Sequence, residues 1–279
     1  MSKNIFLFSG QGSQYVGMAK ELCEKYDAAN AVFDTAEKVL GYDLRAVTFD
    51  GPDTELNKTV NSQPAIMACS LAAFEAAKAE GITFDGVAGH SLGEYAAMVA
   101  AGVVTMEDGF KLIKARAAAM QKAAEANSGS MYAIIGLPAE EVEKICEETE
   151  GYVVPVNYNS AVQTVIAGDT AACEAAAAKF SEMKKKAIKL NVASAFHSKL
   201  MQSAADLLKL QRQLSSRLQT LIYTQTFLEQ SLKIFLLCLI CLPSTSFHPL
   251  SSLLSLQKWK RQAMRTLSSL VLTRCLRVL

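Results

Sequence analysis

The spacing of apolar and polar positions changes period several times along the chain, and each change marks an element. Ile5 to Phe8 is a short apolar run closed by Ser-Gly-Gln-Gly, the pattern of a buried strand and a loop, with a helix expected after it. Ala28 to Leu40 (AANAVFDTAEKVL) and Gln63 to Glu80 (QPAIMACSLAAFEAAKAE) repeat apolar residues with helical period, the second opening with Pro64 near its first turn. Gly86 to Gly89 reads as a strand running into a tight turn and Ser91 to Ala101 as a helix, while Thr105, with Asp108 three residues on, caps a long helix reaching about Asn127. From Met131 the order becomes strand (MYAII), helix (AEEVEKICEET), strand (YVVPV), strand (QTVIAG), helix (TAACEAAAAKF) and strand (KAIKL). That βαββαβ succession is the ferredoxin-like arrangement. The expected fold class is α/β: a large α/β-hydrolase-like domain with a parallel sheet, and an inserted small ferredoxin-like subdomain. Residues 1–127 form the first part of the large domain, 128–193 the small subdomain, and 194–206 the return to the large domain.

Composition changes this picture near Leu207. From there on the chain carries ten Lys or Arg against the single acid Glu229, which leaves 18 basic and 26 acidic residues before it, so the overall net charge of +1 hides an acidic body and a basic tail. All 15 glycines precede Leu207, whereas the last 73 residues hold 21 Leu and 10 Ser and neither Gly nor Asp. An α/β segment of that length needs glycine at turns and helix ends. Residues 207–279 are therefore an atypical Leu/Ser-rich basic tail with no fold assigned. Within it, Ile234 to Leu242 is nine apolar residues, half of what a bilayer span requires, so no membrane helix is expected. Cys238 and Cys241 have metal or redox spacing but lack a second pair and a neighbouring His or acid; they read as thiols in a leucine run. The seven cysteines are odd in number and scattered, which argues against a disulfide framework. The start, MSKNIFLFSGQGSQ, has too short an apolar run for a signal-peptide core, and a cytoplasmic protein is expected.

The chemistry concentrates in GHSLG, Gly89 to Gly93, a G-x-S-x-G elbow set between an expected strand and an expected helix. Its glycines permit the sharp turn, and the helix start offers free N–H groups to an oxyanion. A random chain of this length yields the bare pattern on the order of 0.1 times, so the strand-turn-helix context decides for Ser91 as nucleophile over a tight structural turn. A serine needs a base, and three histidines exist. His90 adjoins Ser91, and successive side chains at a sharp turn diverge; His248 lies in the tail. His197, in SAFHSKLM after the last strand of the small subdomain, is the candidate general base, against a solvated loop histidine. Arg116 is flanked at i−4 and i+4 by Leu112 and Met120, which lays its cation along an apolar stripe. A guanidinium there calls for a carboxylate and can select an acid-bearing acyl group, the alternative being a snorkelling surface arginine.

Taken together, GQGSQ (Gly10 to Gln14), SQPA (Ser62 to Ala65), GHSLGEYAA (Gly89 to Ala97), RAAAMQ (Arg116 to Gln121), NYNS (Asn157 to Ser160) and AFHSKLM (Ala195 to Met201) resemble, in order and near spacing, the malonyl-CoA:acyl carrier protein transacylases of bacterial fatty acid synthesis and the related acyltransferase domains of polyketide synthases. The resemblance covers about residues 1–206. It implies ping-pong transfer of malonyl from coenzyme A to Ser91 and then to the phosphopantetheine thiol of an acyl carrier protein. It further implies His197 as base, backbone N–H groups of Gln11 and Leu92 as oxyanion donors, Arg116 on the malonyl carboxylate, and Gln63, Met120 and Phe196 on the substrate side. Leu92 and Phe196 match the malonyl versions of their motifs rather than the methylmalonyl ones.

The tail departs from the family. A strand ending S-N-V-T-G, a P-V-x-W segment and a glycine-rich D-T-F-x-E-x-G-P-G-K ordinarily follow AFHS, and none is readable here. The P-V-x-W region would supply a backbone carbonyl that orients the catalytic histidine, so that partner is unassigned. Codons open to TLSSLVLTR (Thr266 to Arg274) permit D-T-F-I-T-G-P-x-K when read one base back, and a shifted frame from about Leu207 is the expectation. Two rivals stay open: a serine esterase or thioesterase of the α/β-hydrolase type, and an inactive remnant that binds carrier protein through Lys184 to Lys186 and Lys189. Coenzyme A thioester enters as substrate; no metal or prosthetic cofactor, nucleic acid or membrane partner is expected, and the expected state is a monomer.

Overall fold

The computed structural model describes residues 4–192 and 194–205; the tail from Leu207, with Cys238, Cys241, Cys275 and His248, lies outside the described residues. The described chain forms two compact units, one of residues 4–127 with 201–205, the other of residues 128–200.

In the first unit, β1 (Ile5–Phe8) pairs in parallel with β2 (Gly86–Gly89), in the register Ile5 to Gly86 and Phe8 to Gly89. Helices α1 (Lys20–Lys25), α2 (Asp27–Leu40), α3 (Asp53–Leu56), α4 (Thr59–Ala79), α5 (Gly93–Ala100) and α6 (Met106–Ala126) surround that pair. Amphipathic α2 buries Ala29, Val32, Phe33, Ala36 and Leu40 along one stripe and stops at Gly41, whose φ of 82° closes the helix end. Edge-on packing of Phe6 on Phe74 and Phe84, and of Phe8 on Phe74, fastens β1 to α4.

Helix α4 is buried on every side from Ser62 through Ala68, so it has no polar face. It begins at Thr59, four residues before the start read from the sequence, and Pro64 lies inside it. Pro64 cannot donate to the carbonyl of Val60, and the hydroxyl of Tyr42 donates to that oxygen instead, at 3.5 Å. That outside donor, together with burial, keeps a proline in mid-helix. The expected helix from Ser91 also shifts, because α5 begins at Gly93 and leaves Ser91 in the turn. Thr105 caps α6 as the pattern indicated, its hydroxyl accepting from the backbone N–H of Asp108 at 3.1 Å.

The second unit contains β3 (Ser130–Ile135), α7 (Ala139–Glu147), β4 (Val153–Ser160), β5 (Gln163–Gly168), α8 (Thr170–Glu182) and β6 (Lys186–Lys189). Its four strands are antiparallel in the order β4-β5-β3-β6. Tyr132, Ile134, Val142, Cys146, Ile166, Cys173 and Phe180 make its core between sheet and helices. A short 3-10 turn, Lys199–Met201, follows the segment that carries His197.

Candidate active site

The elbow is built by close approach. A Cβ at Gly89 would lie 2.2 Å from the carbonyl carbon of Gly93, and a Cβ at Gly93 would lie 2.2 Å from the carbonyl oxygen of Phe8. Only glycine at both positions lets the end of β2 fold onto the first turn of α5 while α5 sits against the end of β1. Between them Ser91 adopts φ 54°, the left-handed region that a side chain avoids at a cost on the order of 1–3 kcal/mol. The turn is secured by His90 N–H donating to Phe8 O at 3.0 Å and Gly93 N–H donating to His90 O at 3.0 Å. Leu92 is fully buried, and its N–H makes no hydrogen bond among the described residues; the same holds for the N–H of Gln11.

The loop that bears Gln11 is braced by its own side chains and by Asn57. Gln14 Oε1 accepts from Gly12 N–H at 2.8 Å, Gln14 Nε2 donates to Asn57 Oδ1 at 2.7 Å, and Ser13 Oγ donates to Gly10 O at 2.9 Å. His90 is exposed over much of its surface but crowded at Nδ1, where a Cβ on Gly10 would approach within 2.6 Å. Desolvation lowers its pKa from 6.5, which keeps the ring neutral at pH 7.

One polar chain runs through the unit's interior to the serine. Arg116 is 5% exposed; its Nη2 donates to Ser91 Oγ at 3.1 Å and its Nη1 to Gln63 Oε1 at 2.7 Å. Gln63, fully buried, donates from Nε2 to Gln11 Oε1 at 3.4 Å and lies 3.4 Å from Met120 Sδ. The guanidinium also sits 5.6 Å from the ring centre of Tyr95. All these partners are neutral, and no carboxylate pairs with Arg116 among the described residues. A desolvated cation held by neutral groups is an electrostatic socket for an anion. It excludes the reading of Arg116 as a snorkelling surface residue.

Six of the residues singled out in the sequence (Gln11, Gln63, Ser91, Leu92, Arg116 and Met120) therefore belong to the first unit. His197 and Phe196 belong to the second, with His197 exposed at φ 62° and Phe196 buried. In the lysine cluster, Lys185 donates to Gly136 O at 2.9 Å and Lys189 pairs with Glu174 at 3.4 Å, so two of its four cations are engaged. Sequence reasoning passed over Tyr95, although its place four residues after Ser91 in the same motif sets it one helical turn from the serine. Among the described residues no three His, Cys, Asp or Glu side chains gather as a metal site, and no helix is long and apolar enough to cross a membrane.

A buried cation beside a serine held in a strained strand-to-helix turn suits acyl transfer through a serine ester, and the comparisons with known proteins identify an acyltransferase. Residues 5–227 match the family described as acyl transferase domain. The malonyl CoA-acyl carrier protein transacylase of Bacillus subtilis strain 168 is 43% identical over 213 residues, 75% of this chain and 67% of that protein. Its namesake from Salmonella typhimurium is 45% identical over 210 residues, 74% of this chain and 68% of that protein. In three dimensions, a crystal structure of an acyl carrier protein S-malonyltransferase from Vibrio cholerae superimposes with a TM-score of 0.69 at 44% identity, covering 75% of this chain and 70% of that one. A malonyl-transacylase in complex with its type II PKS acyl-carrier protein gives 0.71 at 40% identity, covering 75% and 69%. The chain belongs to the malonyl CoA-acyl carrier protein transacylase family, and is an acyltransferase with that family's α/β fold.

Proposed function

We propose that this chain transfers the malonyl group of malonyl-CoA to the phosphopantetheine thiol of an acyl carrier protein, in two half-reactions through a malonyl ester on Ser91. The observation that carries the substrate choice is Arg116, a buried guanidinium with neutral partners whose Nη2 already lies 3.1 Å from Ser91 Oγ. A malonyl carboxylate supplies the charge that the guanidinium lacks, and pairing with it sets the thioester carbonyl beside the serine hydroxyl. Gln63 holds Nη1 and so fixes the direction of the fork, and Met120 packs against the amide; the resemblance of Leu92 and Phe196 to the malonyl versions of their motifs supports malonyl over methylmalonyl as the group carried.

His197 removes the hydroxyl proton as Ser91 Oγ attacks the thioester carbon. The carbonyl electron pair moves onto oxygen, where the N–H groups of Gln11 and Leu92 stabilise it. Collapse of the tetrahedral species breaks the C–S bond, and the imidazolium gives its proton to the departing coenzyme A thiolate. The second half repeats these steps in reverse order: the carrier thiol loses its proton to His197, attacks the ester carbon, and Ser91 leaves as a hydroxyl. Charge balances at each stage, so coenzyme A serves as substrate carrier and no further cofactor is needed. The partners are malonyl-CoA and a carrier protein; the protein works in the cytoplasm as a monomer, without nucleic acid or membrane.

The test is transfer of radiolabelled malonyl from malonyl-CoA to holo-carrier protein, with Ser91→Ala as control. Label on the carrier that is lost in the Ser91→Ala variant supports the proposal. Hydrolysis of simple esters without transfer would move the chain to the esterase class, and carrier binding with no acylation would mark an inactive remnant.

A further inference from the structure

We infer that Tyr152 is a positioning residue for the turn that presents His197; this rests on the reading of His197 as the base. Tyr152 directly precedes β4, and its backbone is gripped from two sides. Its carbonyl accepts from Asp169 N–H at 2.8 Å, and Gly168 lies so near that a Cβ there would stand 1.9 Å from the same oxygen. From that fixed base the phenol oxygen reaches across the fold and accepts the backbone N–H of Lys199, two residues beyond His197, at 3.0 Å. The ammonium of Lys199 in turn lies 3.8 Å from the centre of the Tyr152 ring.

His197 needs such restraint because φ 62° is a conformation that a histidine keeps only where its surroundings over-determine it. On the N-terminal side, Ala195 is wedged where a Cβ on Gly129 would approach within 2.8 Å, and Phe196 is buried. Ser198 closes the turn on itself, its hydroxyl donating to Ala195 O at 2.6 Å and accepting from Leu200 N–H at 3.2 Å. That bond is local and travels with the turn. On the C-terminal side, Tyr152 ties the turn to the sheet, so its hydroxyl sets the direction in which the segment leaves His197.

The test is Tyr152→Phe in the full chain, which keeps the ring and its contact with Lys199 and removes only the acceptor. Amide exchange at Lys199 should accelerate about fivefold or more, since one protecting hydrogen bond is gone. The rate of Ser91 malonylation should fall roughly 3- to 20-fold with KM for malonyl-CoA unchanged, because the loss is one of aim and not of substrate affinity. In a His197→Ala background the same substitution should change the rate by less than about twofold, as expected for a residue that acts through His197. Unchanged exchange at Lys199, or an equal loss of rate in both backgrounds, would overturn the inference. A normal rate in His197→Ala alone would instead refute the base assignment, and this inference with it.

Discussion

Replacing Arg116 by methionine should separate the proposed recognition of a malonyl carboxylate from acyl transfer itself. In the protein the guanidinium makes two hydrogen bonds to neutral oxygens, at 2.7 Å to Gln63 and 3.1 Å to Ser91. Against a carboxylate, two charge-assisted bonds of ~1.5–3 kcal/mol each, less desolvation of the bound anion, leave a net of about 3–4 kcal/mol, or ~10²- to 10³-fold in kcat/KM for malonyl-CoA. Acetyl-CoA has no carboxylate, so its kcat/KM should stay within roughly threefold of the parent value. Methionine also leaves Gln63 Oε1 without its donor in a fully buried place, a cost of about 1–3 kcal/mol that removal of a buried charge partly offsets. Melting should therefore fall by only about 2–8 °C, and assays at 25 °C read a folded protein. The measurement is kcat/KM for both donors on the parent and the variant. Proportionate loss toward both, or a parent that does not prefer malonyl, refutes the carboxylate clamp.

Gly93→Ala forces a Cβ to within 2.2 Å of the Phe8 carbonyl oxygen, a backbone atom that cannot rotate away; overpacking at the upper end, about 3 kcal/mol or more, should lower the melting temperature by at least ~6 °C and abolish acylation, whereas a parent-like melting curve would refute the close-packed elbow. Alkaline stability follows from burial, which pushes Tyr42 from 10.0 to about 12, Cys146 from 9.0 to about 12 and Cys173 from 9.0 to about 11. The folded state then holds protons that the unfolded chain releases, so the urea midpoint should hold steady from about pH 7 up to pH 9.0 and fall progressively toward pH 12; a midpoint constant between pH 9.0 and pH 12 contradicts it. For the basic tail, sequencing the gene across codons 200–215 should reveal a frame change near Leu207; a clean frame together with an intact-protein mass equal to that of the 279-residue chain would sink the frameshift.

Much of the site was legible because its chemistry is local in sequence. Gly89 and Gly93 flank Ser91, and the glycine spacing signals a turn that no other residue permits. Arg116 announced its burial through Leu112 and Met120 one turn away on either side. The start of α4 was misread because Pro64 suits the first turn of a helix, and only the buried surroundings and the Tyr42 hydroxyl explain a proline carried inside. Gln63 stood in a motif, but its work of joining Gln11 to Arg116 spans 52 and 53 positions and has no sequence pattern. The same is true of Tyr152 and Lys199, 47 positions apart. Such long-range polar bonds obey no period, whereas helices, strands and glycine turns do.

The central claim is a malonyl ester on Ser91, and the most direct measurement is intact-protein mass after brief mixing with malonyl-CoA, followed by peptide mapping. The account predicts a gain of one malonyl group, carried by the peptide containing Ser91, absent from Ser91→Ala and discharged on adding holo-carrier protein. A full-length, folded protein that gains no malonyl group, or gains it at another residue, would contradict it.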